Sequence, residues 1–482
     1  MSPLRFGTDQ QFAALQGLLR DAGYNDASVC SRAEVPNIFE VLTSEVRRKH
    51  KPPLDDALDA LMWVLLEGRE ISIRSWDHLV SGEITGLLQT AGLLVEQAGD
   101  YICTLAMYPV EDIYVVSDRN AAIPDRVYPA LVKNVKRFLE IIPRSRCENF
   151  LEVCSGTGIA ALVAARDFAR QSYAFDIAER SVEFAEFNRR VNGLENMANR
   201  AGDVYGPAGG KTFDRIVAHP PYVPVLKPNA IYADGGDDGE QIVRRIVEGL
   251  PAHLAPGGEF AMLSMGSDRK DGDYEHRVRK WLGEAQAEFD IALVRRKAME
   301  PADFVARSIM RGKTDASEVE EWNRVFTTRG VTTLVYGALL IRRKTQNRPA
   351  FTVRRQNGDL TTRAEMDWLL DWEALAAGKE GGARVLDEAL IAAPDVELRV
   401  VNRLQEGEWA AMGYQLQAEY PFRMDMEPQP WMIYLLSKCD GQKTGRQLWR
   451  QLIDEEVIFP GTPLDQFATA LTVLVSGGFL HL

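Results

Sequence analysis

The residues with the clearest chemical character lie in DRIVAHPPYVP, residues 214–224, where an apolar run ends in His219, Pro220, Pro221 and Tyr222. Proline cannot donate a main-chain hydrogen bond to a sheet, so the two prolines must end the predicted strand. A stiff turn there fixes one carbonyl and one aromatic ring in space. His219 could accept a hydrogen bond or act as a base, because its unperturbed pKa is about 6.5.

A glycine-rich turn lies upstream, in LEVCSGTGIAAL, residues 151–162. An apolar strand containing Glu152 and Cys154 is followed by Gly156 and Gly158, and a helix begins at once. Glycines let the main chain turn sharply and approach a ligand closely, while the helix N-terminus offers free N–H groups. The third glycine of a dinucleotide fingerprint is missing, so the pattern disfavours NAD.

Acidic residues follow the next two predicted strands. SYAFDI brings Asp176 and Ile177 to the end of the second strand, and GDV places Asp203 and Val204 after the third. An acid at the second strand end can accept both hydroxyl hydrogens of a ribose, or it can cap the helix that begins near Glu179. Asp203 could reach an adenine amino group. Ligands of open α/β sheets bind at the C-terminal ends of the strands. The glycine-rich turn, Asp176, Asp203 and the HPPY stretch each follow a predicted strand, so together they predict one site.

Short apolar runs alternate with helical patterns from Glu148 onwards. This alternation predicts βαβ units, a mostly parallel sheet and helices on both faces. The last two strands, IALVRR and TTLVYGALLIRR, lack a helical crossover and are separated by an insertion at about 298–330, so they could pair antiparallel. The chain of 482 residues should hold about three domains at ~150 residues each.

Both flanking regions mix helices with short strands. Residues 1–110 predict amphipathic helices followed by a hairpin with a turn at Ala98-Gly99-Asp100, an arrangement like a winged helix. They carry nine basic and fifteen acidic residues, which disfavours DNA binding and favours a substrate or interface domain. Residues 346–482 predict an α+β domain, also winged-helix-like, in which DGQKT forms a turn.

Composition excludes several classes of protein. A net charge of −13 argues against binding of bulk nucleic acid, although structured RNA stays open. No long apolar stretch or signal sequence is present, and five dispersed cysteines fit reduced thiols without a metal site, so we expect a cytoplasmic protein. The oligomeric state is not readable from the sequence.

The order of glycine loop, two strand-end acids and HPPY resembles class I S-adenosylmethionine-dependent methyltransferases. It is most similar to the HemK-type subgroup, which carries Asn, Asp or Ser before Pro-Pro-Tyr, and YADGGDDGEQIVRRI (232–246) resembles that subgroup's GGxDG stretch. The resemblance covers about 112–343 and implies a Rossmann-like, seven-stranded methyltransferase domain at 111–345. It implies a cofactor, S-adenosyl-L-methionine, held by eight residues: Glu152, Cys154, Gly156, Gly158, Asp176, Ile177, Asp203 and Val204.

The resemblance also implies how the HPPY loop works. A side-chain acceptor and the carbonyl of Pro220 would hold the two hydrogens of an amide or amino nitrogen, while Tyr222 stacks on the flat group beside Pro221. Asp118, Arg119 and Tyr128 would belong to a segment that closes over the cofactor. His219 departs from the family pattern, which widens the range of acceptors.

Four hypotheses therefore stay open. The chain could methylate an amide or amino nitrogen of a protein, peptide or small molecule, or a nitrogen of RNA or a nucleobase. It could methylate an oxygen of a small molecule with His219 as base. It could also be a cofactor-binding adaptor without catalytic activity. Cofactor binding is expected of the adaptor and of an enzyme alike, so only a measurement of turnover distinguishes them.

Overall fold

The computed structural model describes residues 3–44, 54–119, 125–227, 234–378 and 380–482. The chain divides into two compact units, one formed by Met1–Gly266 with Val305–Gly330 and the other by Ser267–Phe304 with Val331–Leu482. Across the described ranges, every helix is too short or too polar to cross a membrane.

Residues up to 119 build a small helical region with two short β-structures. Its helices are α1 (Asp9–Asp21), α2 (Asp26–Ala33), α3 (Ala57–Leu61), α4 (Ile73–Leu79) and α5 (Gly82–Thr90), and its strands are β1 (Ile71–Ser72), β2 (Val95–Gln97), β3 (Asp100–Ile102), β4 (Leu105–Val110) and β5 (Ile113–Asp118). Strands β1, β3 and β2 form one antiparallel sheet, and β4 pairs with β5. The predicted hairpin turn therefore joins β2 to β3, as expected.

The centre of the first unit is a parallel sheet with helical crossovers. Its elements are α6 (Lys133–Ile141), β6 (Cys147–Val153), α7 (Ile159–Asp167), β7 (Ala169–Asp176), α8 (Glu179–Val191), β8 (Met197–Ala201), β9 (Phe213–Ala218), α9 (Gln241–His253) and β10 (Leu254–Arg269). The strand order is β10-β9-β6-β7-β8, and every neighbouring pair is parallel. The carboxyl ends of these five parallel strands therefore lie at one edge of the sheet.

The strands are held by a core that covers both faces of the sheet. The second halves of β6, β7 and β9 are almost continuously buried, which is the pattern expected of a parallel sheet between helical layers. Phe213 lies edge-on to both Tyr173 and Phe175, with ring centroids 5.5 and 6.3 Å apart. This packing connects the side chains of β7 with the start of β9.

The second unit continues with α10 (Tyr274–Trp281), β11 (Phe289–Met299), β12 (Val331–Arg343) and β13 (Thr352–Gln356). Strand β11 pairs antiparallel with β12, as predicted, and parallel with β13. Two helices occupy the intervening insertion, α11 (Pro301–Met310) and α12 (Val319–Thr328). Strands β11, β12 and β13 are thus paired with one another within the second unit.

The remaining chain is α+β. Its helices are α13 (Arg363–Ala377), α14 (Glu380–Asp387), α15 (Pro430–Leu436), α16 (Gly445–Asp454) and α17 (Leu464–Ser476), and its strands are β14 (Ala389–Ala392), β15 (Glu397–Gln405), β16 (Glu408–Ala418), β17 (Met424–Met426), β18 (Asp440–Thr444) and β19 (Leu480–His481). Strand β14 lies between β18 and β19, while β16 lies between β15 and β17. Most of these elements contribute to one apolar core that includes Leu390, Leu448 and Leu471, whereas every residue of β15 is exposed.

The structure confirms the predicted mixed α/β fold with a mostly parallel central sheet and corrects one local expectation. DGQKT is strand β18 instead of a turn, because Asp440 and Thr444 pair with β14. AFTVRR, within the region predicted as α+β, forms strand β13 and pairs with β11. Among the amphipathic helices expected in residues 1–110, α3 is followed by a π-helix, Met62–Leu66. The division into domains 1–110, 111–345 and 346–482 stays a prediction.

Candidate methyltransferase site

The sheet register brings the predicted site residues to one edge. Val153 of β6 is opposite both Phe175 of β7 and Ala218 of β9, so Cys154, Asp176 and His219 leave three adjacent strands at the same level. Asp176 is in turn opposite Ala201 of β8, which places Gly202 and Asp203 just beyond it. Four sequence signals separated by up to about seventy residues in the chain therefore meet at the carboxyl ends of neighbouring strands.

The glycine loop between β6 and α7 needs glycine for two different reasons. Gly156 and Gly158 have φ angles of 52° and 73°, in the left-handed region that favours glycine. A Cβ on Gly158 would lie 3.0 Å from the Cε of Met197 and 3.1 Å from the Cβ of Ala185, so this position permits close packing. A Cβ on Gly156 would meet no atom within 4 Å. Gly156 thus presents main chain to open space at the sheet edge.

Asp176 fixes the glycine loop to the end of β7. Its carboxylate accepts hydrogen bonds from the main-chain N–H groups of Gly156 (2.8 Å) and Ala178 (2.9 Å). Burial raises the pKa of this carboxyl, whereas the N–H donors lower it. The Ser181 side chain and the main chain of Ile177 also hydrogen-bond to this carboxylate, and Asp176 is still only partly buried.

The loop after β8 contains an ion pair that sequence reasoning missed. The carboxylate of Asp203 binds the guanidinium of Arg245, which comes from α9, and both side chains are nearly half exposed. The neighbouring Val204 has a φ of 49°, which a β-branched residue rarely adopts. Ile177 at the end of β7 is 60% exposed. An acid, a strained turn and an exposed apolar side chain therefore surround the ends of β7 and β8.

The HPPY loop is held by helix α6. His219 stacks on Phe138 with ring centroids 5.3 Å apart, and its centroid lies 5.8 Å from that of Tyr222. Asn134, one turn before Phe138, donates a hydrogen bond to the hydroxyl of Tyr222 at 3.0 Å. Burial lowers the pKa of His219 to about 4, so its imidazole is neutral at pH 7. Pro220 is buried, whereas Pro221 and Tyr222 are only partly buried.

A turn formed by residues 234–239 supports the other side of that loop. The main-chain N–H of Gly235 donates to the carbonyl of Val223 at 3.1 Å, and Val225 donates to Gly236 at 3.0 Å. A Cβ on Gly239, whose φ is 74°, would lie 2.6 Å from the carbonyl oxygen of Tyr222. The GGDDG stretch is therefore in main-chain contact with the HPPY loop, and we refer to residues 234–239 as the support turn.

Glu152 of β6 and Cys154, which follows this strand, both have raised pKa values. Glu152 is 2% exposed and accepts the main-chain N–H of Ala161 at 2.8 Å, at the start of α7. Burial raises its pKa to about 8, and the N–H groups of Ala161 and Ala160 oppose that rise. Burial also raises the pKa of the Cys154 thiol, and Asp176 adds to the effect, so this cysteine is not an activated nucleophile.

The segment that we expected to close over the cofactor contains Asp118, Arg119 and Tyr128. Asp118 accepts the guanidinium of Arg180 at 2.6 Å and the N–H of Val127 at 2.8 Å, which fixes it inside the first unit. Arg119 donates to the carbonyls of Val64, Leu65, Leu66 and Cys103, so it caps the π-helix instead of forming a surface ion pair. Tyr128 is partly buried, and residues 120–124 of this segment lie outside the described residues.

Asn188 is a structural residue of the site that the sequence did not reveal. It is fully buried in α8 and donates to the carbonyls of Thr157 (3.0 Å) and Val116 (3.1 Å), while it accepts the N–H of Val116 at 2.7 Å. It thereby ties β5 to the glycine loop. Asn134, Phe138 and Arg245 were missed for the same reason: each is a common residue type within a helix, and no spacing marks its role.

The groups at this sheet edge suit the parts of S-adenosyl-L-methionine. Gly156 leaves room for a ligand against the main chain, the partly buried carboxylate of Asp176 lies beside it, and Ile177 offers an exposed apolar surface. A ribose, a methionine chain and an adenine need this combination of groups.

Comparisons with known proteins agree with this geometry. Residues 133–287 match the methyltransferase small domain family. The chain is 32% identical over 157 residues to a ribosomal protein uL3 glutamine methyltransferase of Bradyrhizobium diazoefficiens, covering 30% of this chain and 49% of the relative. It is 26% identical over 159 residues to a release factor glutamine methyltransferase of Thermodesulfovibrio yellowstonii, covering 30% and 57%. This chain thus spans only about half the length of these relatives.

Among solved structures, a ribosomal protein L11 methylase from Lactobacillus delbrueckii subsp. bulgaricus aligns with 42% of this chain and 71% of its own, at 20% identity and a TM-score of 0.24. The matched residues 133–287 include the glycine loop, both strand-end acids, the HPPY loop and the support turn. This segment is a class I S-adenosylmethionine-dependent methyltransferase domain with distant HemK-type relatives.

Proposed function

We propose that this chain transfers a methyl group to an amide or amino nitrogen of a protein or peptide, held at the HPPY loop. The observation that carries the proposal is the register of β6, β7 and β9, which brings the cofactor-type residues and His219 to the same level of one sheet edge. A methyl donor held by Gly156 and Asp176 would then share that edge with the acceptor. Proximity and alignment of two bound reactants can supply up to about 7–11 kcal/mol of the barrier.

The acceptor side is suited to orienting a flat nitrogen group. The neutral imidazole of His219 can accept one hydrogen, and the main-chain carbonyl of Pro220 can accept another. Fixed by α6 and by the support turn, both acceptors are in place before a substrate arrives, which reduces the ordering cost of binding. The ring of Tyr222, with its hydroxyl bound by Asn134, would cover the planar group.

On the cofactor side, S-adenosyl-L-methionine supplies an electrophilic methyl group on a sulfonium. Asp176 would accept the ribose hydroxyls, and Asp203 with Val204 and Ile177 would surround the adenine. Gly156 and Gly158 would allow the main chain to approach the methionine portion, with Glu152 and Cys154 beneath them.

Two observations favour a protein acceptor. The relatives over this segment are named as glutamine methyltransferases of a ribosomal protein and of release factors. A net charge of −13 opposes the phosphate contacts on which binding of bulk nucleic acid depends. We include RNA, nucleobases and small molecules as alternative outcomes of the experiments below.

Oxygen methylation with His219 as base is the second candidate, and the structure disfavours it. A base whose pKa lies near 4 is a weak acceptor for a hydroxyl proton at neutral pH. His219→Asn would remove the base but keep a hydrogen-bond acceptor. If His219 is the base, the rate should fall by about 10²–10⁴-fold.

The test measures methyl transfer from methyl-labelled S-adenosylmethionine to a protein extract of cells that lack this chain's gene. We expect His219→Asn to keep the rate within tenfold, and the unsubstituted chain to show no loss of activity with a midpoint near pH 6.5. Tyr222→Ala should reduce transfer at least tenfold and leave the cofactor dissociation constant within about twofold. Loss of cofactor binding in Tyr222→Ala would show that the loop belongs to the cofactor and would contradict the proposal.

A further inference from the structure

The connection between β11 and β12 is much longer than its geometry requires. The two strands are antiparallel partners as far as Met299 and Leu334, and such a pair can be joined by about 2–5 residues. Residues 300–333 intervene instead and form α11 and α12. Val305–Gly330 belong to the unit that holds the methyltransferase site, although β11 and β12 belong to the other unit.

Helix α12 buries its apolar face, and Arg329 directly follows its last residue, Thr328. Trp322 and Phe326 are each 3% exposed, and their rings stack with centroids 5.4 Å apart. Arg329 donates to the carboxylate of Asp237 at 2.7 Å and to that of Asp238 at 3.2 Å. Its planar guanidinium therefore bridges two consecutive acids of the support turn, which a lysine cannot do with the same geometry.

Those two acids are not equivalent. Asp237 is about half exposed, whereas Asp238 is 7% exposed and also accepts the N–H of Glu240 at 2.9 Å, at the start of α9. A buried carboxylate depends on charged and hydrogen-bonding partners for its stability. Removing Arg329 would take a positively charged partner from both carboxylates, and the buried Asp238 would be destabilised more than the half-exposed Asp237. The destabilised residue lies next to Gly239, where the support turn contacts the HPPY loop.

Contacts within the first unit complete the connection. Gly235 and Gly239 lie against the main chain of Tyr222, and Gly235 bonds to Val223. A second contact, between the exposed Lys227 and Glu318 at 2.7 Å, joins the chain after the HPPY loop to the turn before α12. Because the Lys227 side chain is 73% exposed, this second pair contributes little to stability. Arg329 is the stronger of the two links.

We propose that Arg329 is a positioning residue, which acts through Asp237 and Asp238 to hold the HPPY loop in the geometry that receives the methyl acceptor. The insertion thus acts together with α6 to set the acceptor side of the site, and the cofactor side does not depend on it. This inference rests on the proposed function for its effect on catalysis. Its structural part, the attachment of the loop, can be measured separately.

The test compares Arg329→Gln, Arg329→Lys and the unsubstituted full-length chain, with Arg324→Gln as the matched control. Arg324 is an exposed arginine of the same helix. Hydrogen–deuterium exchange follows the amides of Val225, Gly235 and Gly239, and S-adenosylhomocysteine serves as the cofactor probe. We expect Arg329→Gln to exchange these amides at least tenfold faster, Arg329→Lys to lie in between, and Arg324→Gln to match the unsubstituted chain. The amide of Gly156 should not change.

Methyl transfer to the protein extract gives the second measurement. Arg329→Gln should lose at least tenfold in rate at limiting acceptor, recover part of it at saturating extract, and keep its cofactor dissociation constant within twofold. Unchanged exchange, or faster exchange with an unchanged rate, would overturn the inference. If the unsubstituted chain transfers no methyl group, the proposed function fails, and exchange alone then decides whether Arg329 holds the loop.

Discussion

At the scale of residues, Asp176 joins the two halves of the cofactor side. It holds the glycine loop through Gly156 and the start of α8 through Ala178. The ribose-binding role of Asp176 could be predicted from the sequence, because an acid that ends the second strand of a βαβ unit lies at the carboxyl edge of the sheet, where ligands bind. The sequence did not predict the hydrogen bond to Gly156, since the register of two strands is not visible in either strand alone.

Asp176→Ala should weaken the binding of S-adenosylhomocysteine at least tenfold, about 1.4 kcal/mol, because a charged hydrogen-bond partner is lost. Titration calorimetry measures the change. Asp167→Ala is the control, since Asp167 is an exposed acid that pairs with Arg166 away from the strand ends. Equal affinities in Asp176→Ala and the unsubstituted chain would mean that the ribose does not bind at Asp176.

Glu152 gives a second prediction at this scale, concerning stability. Its folded-state pKa is raised to about 8 from the ordinary value of 4.5, because burial disfavours the ionised form. The carboxyl therefore stabilises the folded chain below pH 4.5, and this contribution is lost as the pH rises through about 8. We expect Glu152→Gln, which cannot ionise, to show a smaller decrease in Tm between pH 5 and pH 8.5.

Thermal unfolding at the two pH values measures this difference, with the exposed Glu148→Gln as control. The control should follow the unsubstituted chain. An identical decrease in Tm in Glu152→Gln and the unsubstituted chain would contradict the assignment of the titration to Glu152.

At the scale of elements, the site depends on helices that the sequence could predict only as helices. The alternation of strands and helices predicted β6 to β10 because buried parallel strands and amphipathic crossovers carry strong periodic patterns. The roles of α6 and α12 were not predictable. Asn134 and Arg329 act on residues about ninety positions away, and ordinary residue types in a helix carry no signal of such contacts.

The contact between the support turn and the HPPY loop gives a prediction for a glycine. Gly239→Ala would place a methyl group 2.6 Å from the carbonyl of Tyr222, so the loop must move. Gly193→Ala is the matched control, because Gly193 also has a positive φ of 62° but no atom within 4 Å of the added Cβ. Both variants should lose about 1–2 kcal/mol of stability from left-handed strain.

Only Gly239→Ala should reduce methyl transfer, at least tenfold, with cofactor affinity kept within about twofold. Chemical denaturation, calorimetry and the transfer assay measure the three quantities. An equal loss of transfer in both glycine variants would attribute the effect to stability and not to the loop.

At the scale of the whole molecule, the methyltransferase domain occupies part of a longer chain. The division into two compact units does not follow the order of the sequence, because Val305–Gly330 returns to the first unit. Composition and periodicity could not show this, since they describe neighbours in the chain and not neighbours in space. For the same reason, the pairing of β13 with β11 could not be predicted from the sequence.

The central claim is that the chain methylates a nitrogen held at the HPPY loop, and the chemistry of the product tests it most directly. The full-length chain would be incubated with methyl-labelled S-adenosylmethionine and the protein extract, and the labelled protein would be hydrolysed in acid. A methylated amide releases labelled methylamine, a methylated amine keeps its label on the amino acid, and a methyl ester releases methanol.

We predict label in the protein fraction, released as methylamine for an amide or retained on an amino-acid nitrogen for an amine, and no label with Asp176→Ala. Labelled methanol, label only in nucleic acid, or no transfer by a chain that binds the cofactor would contradict the account.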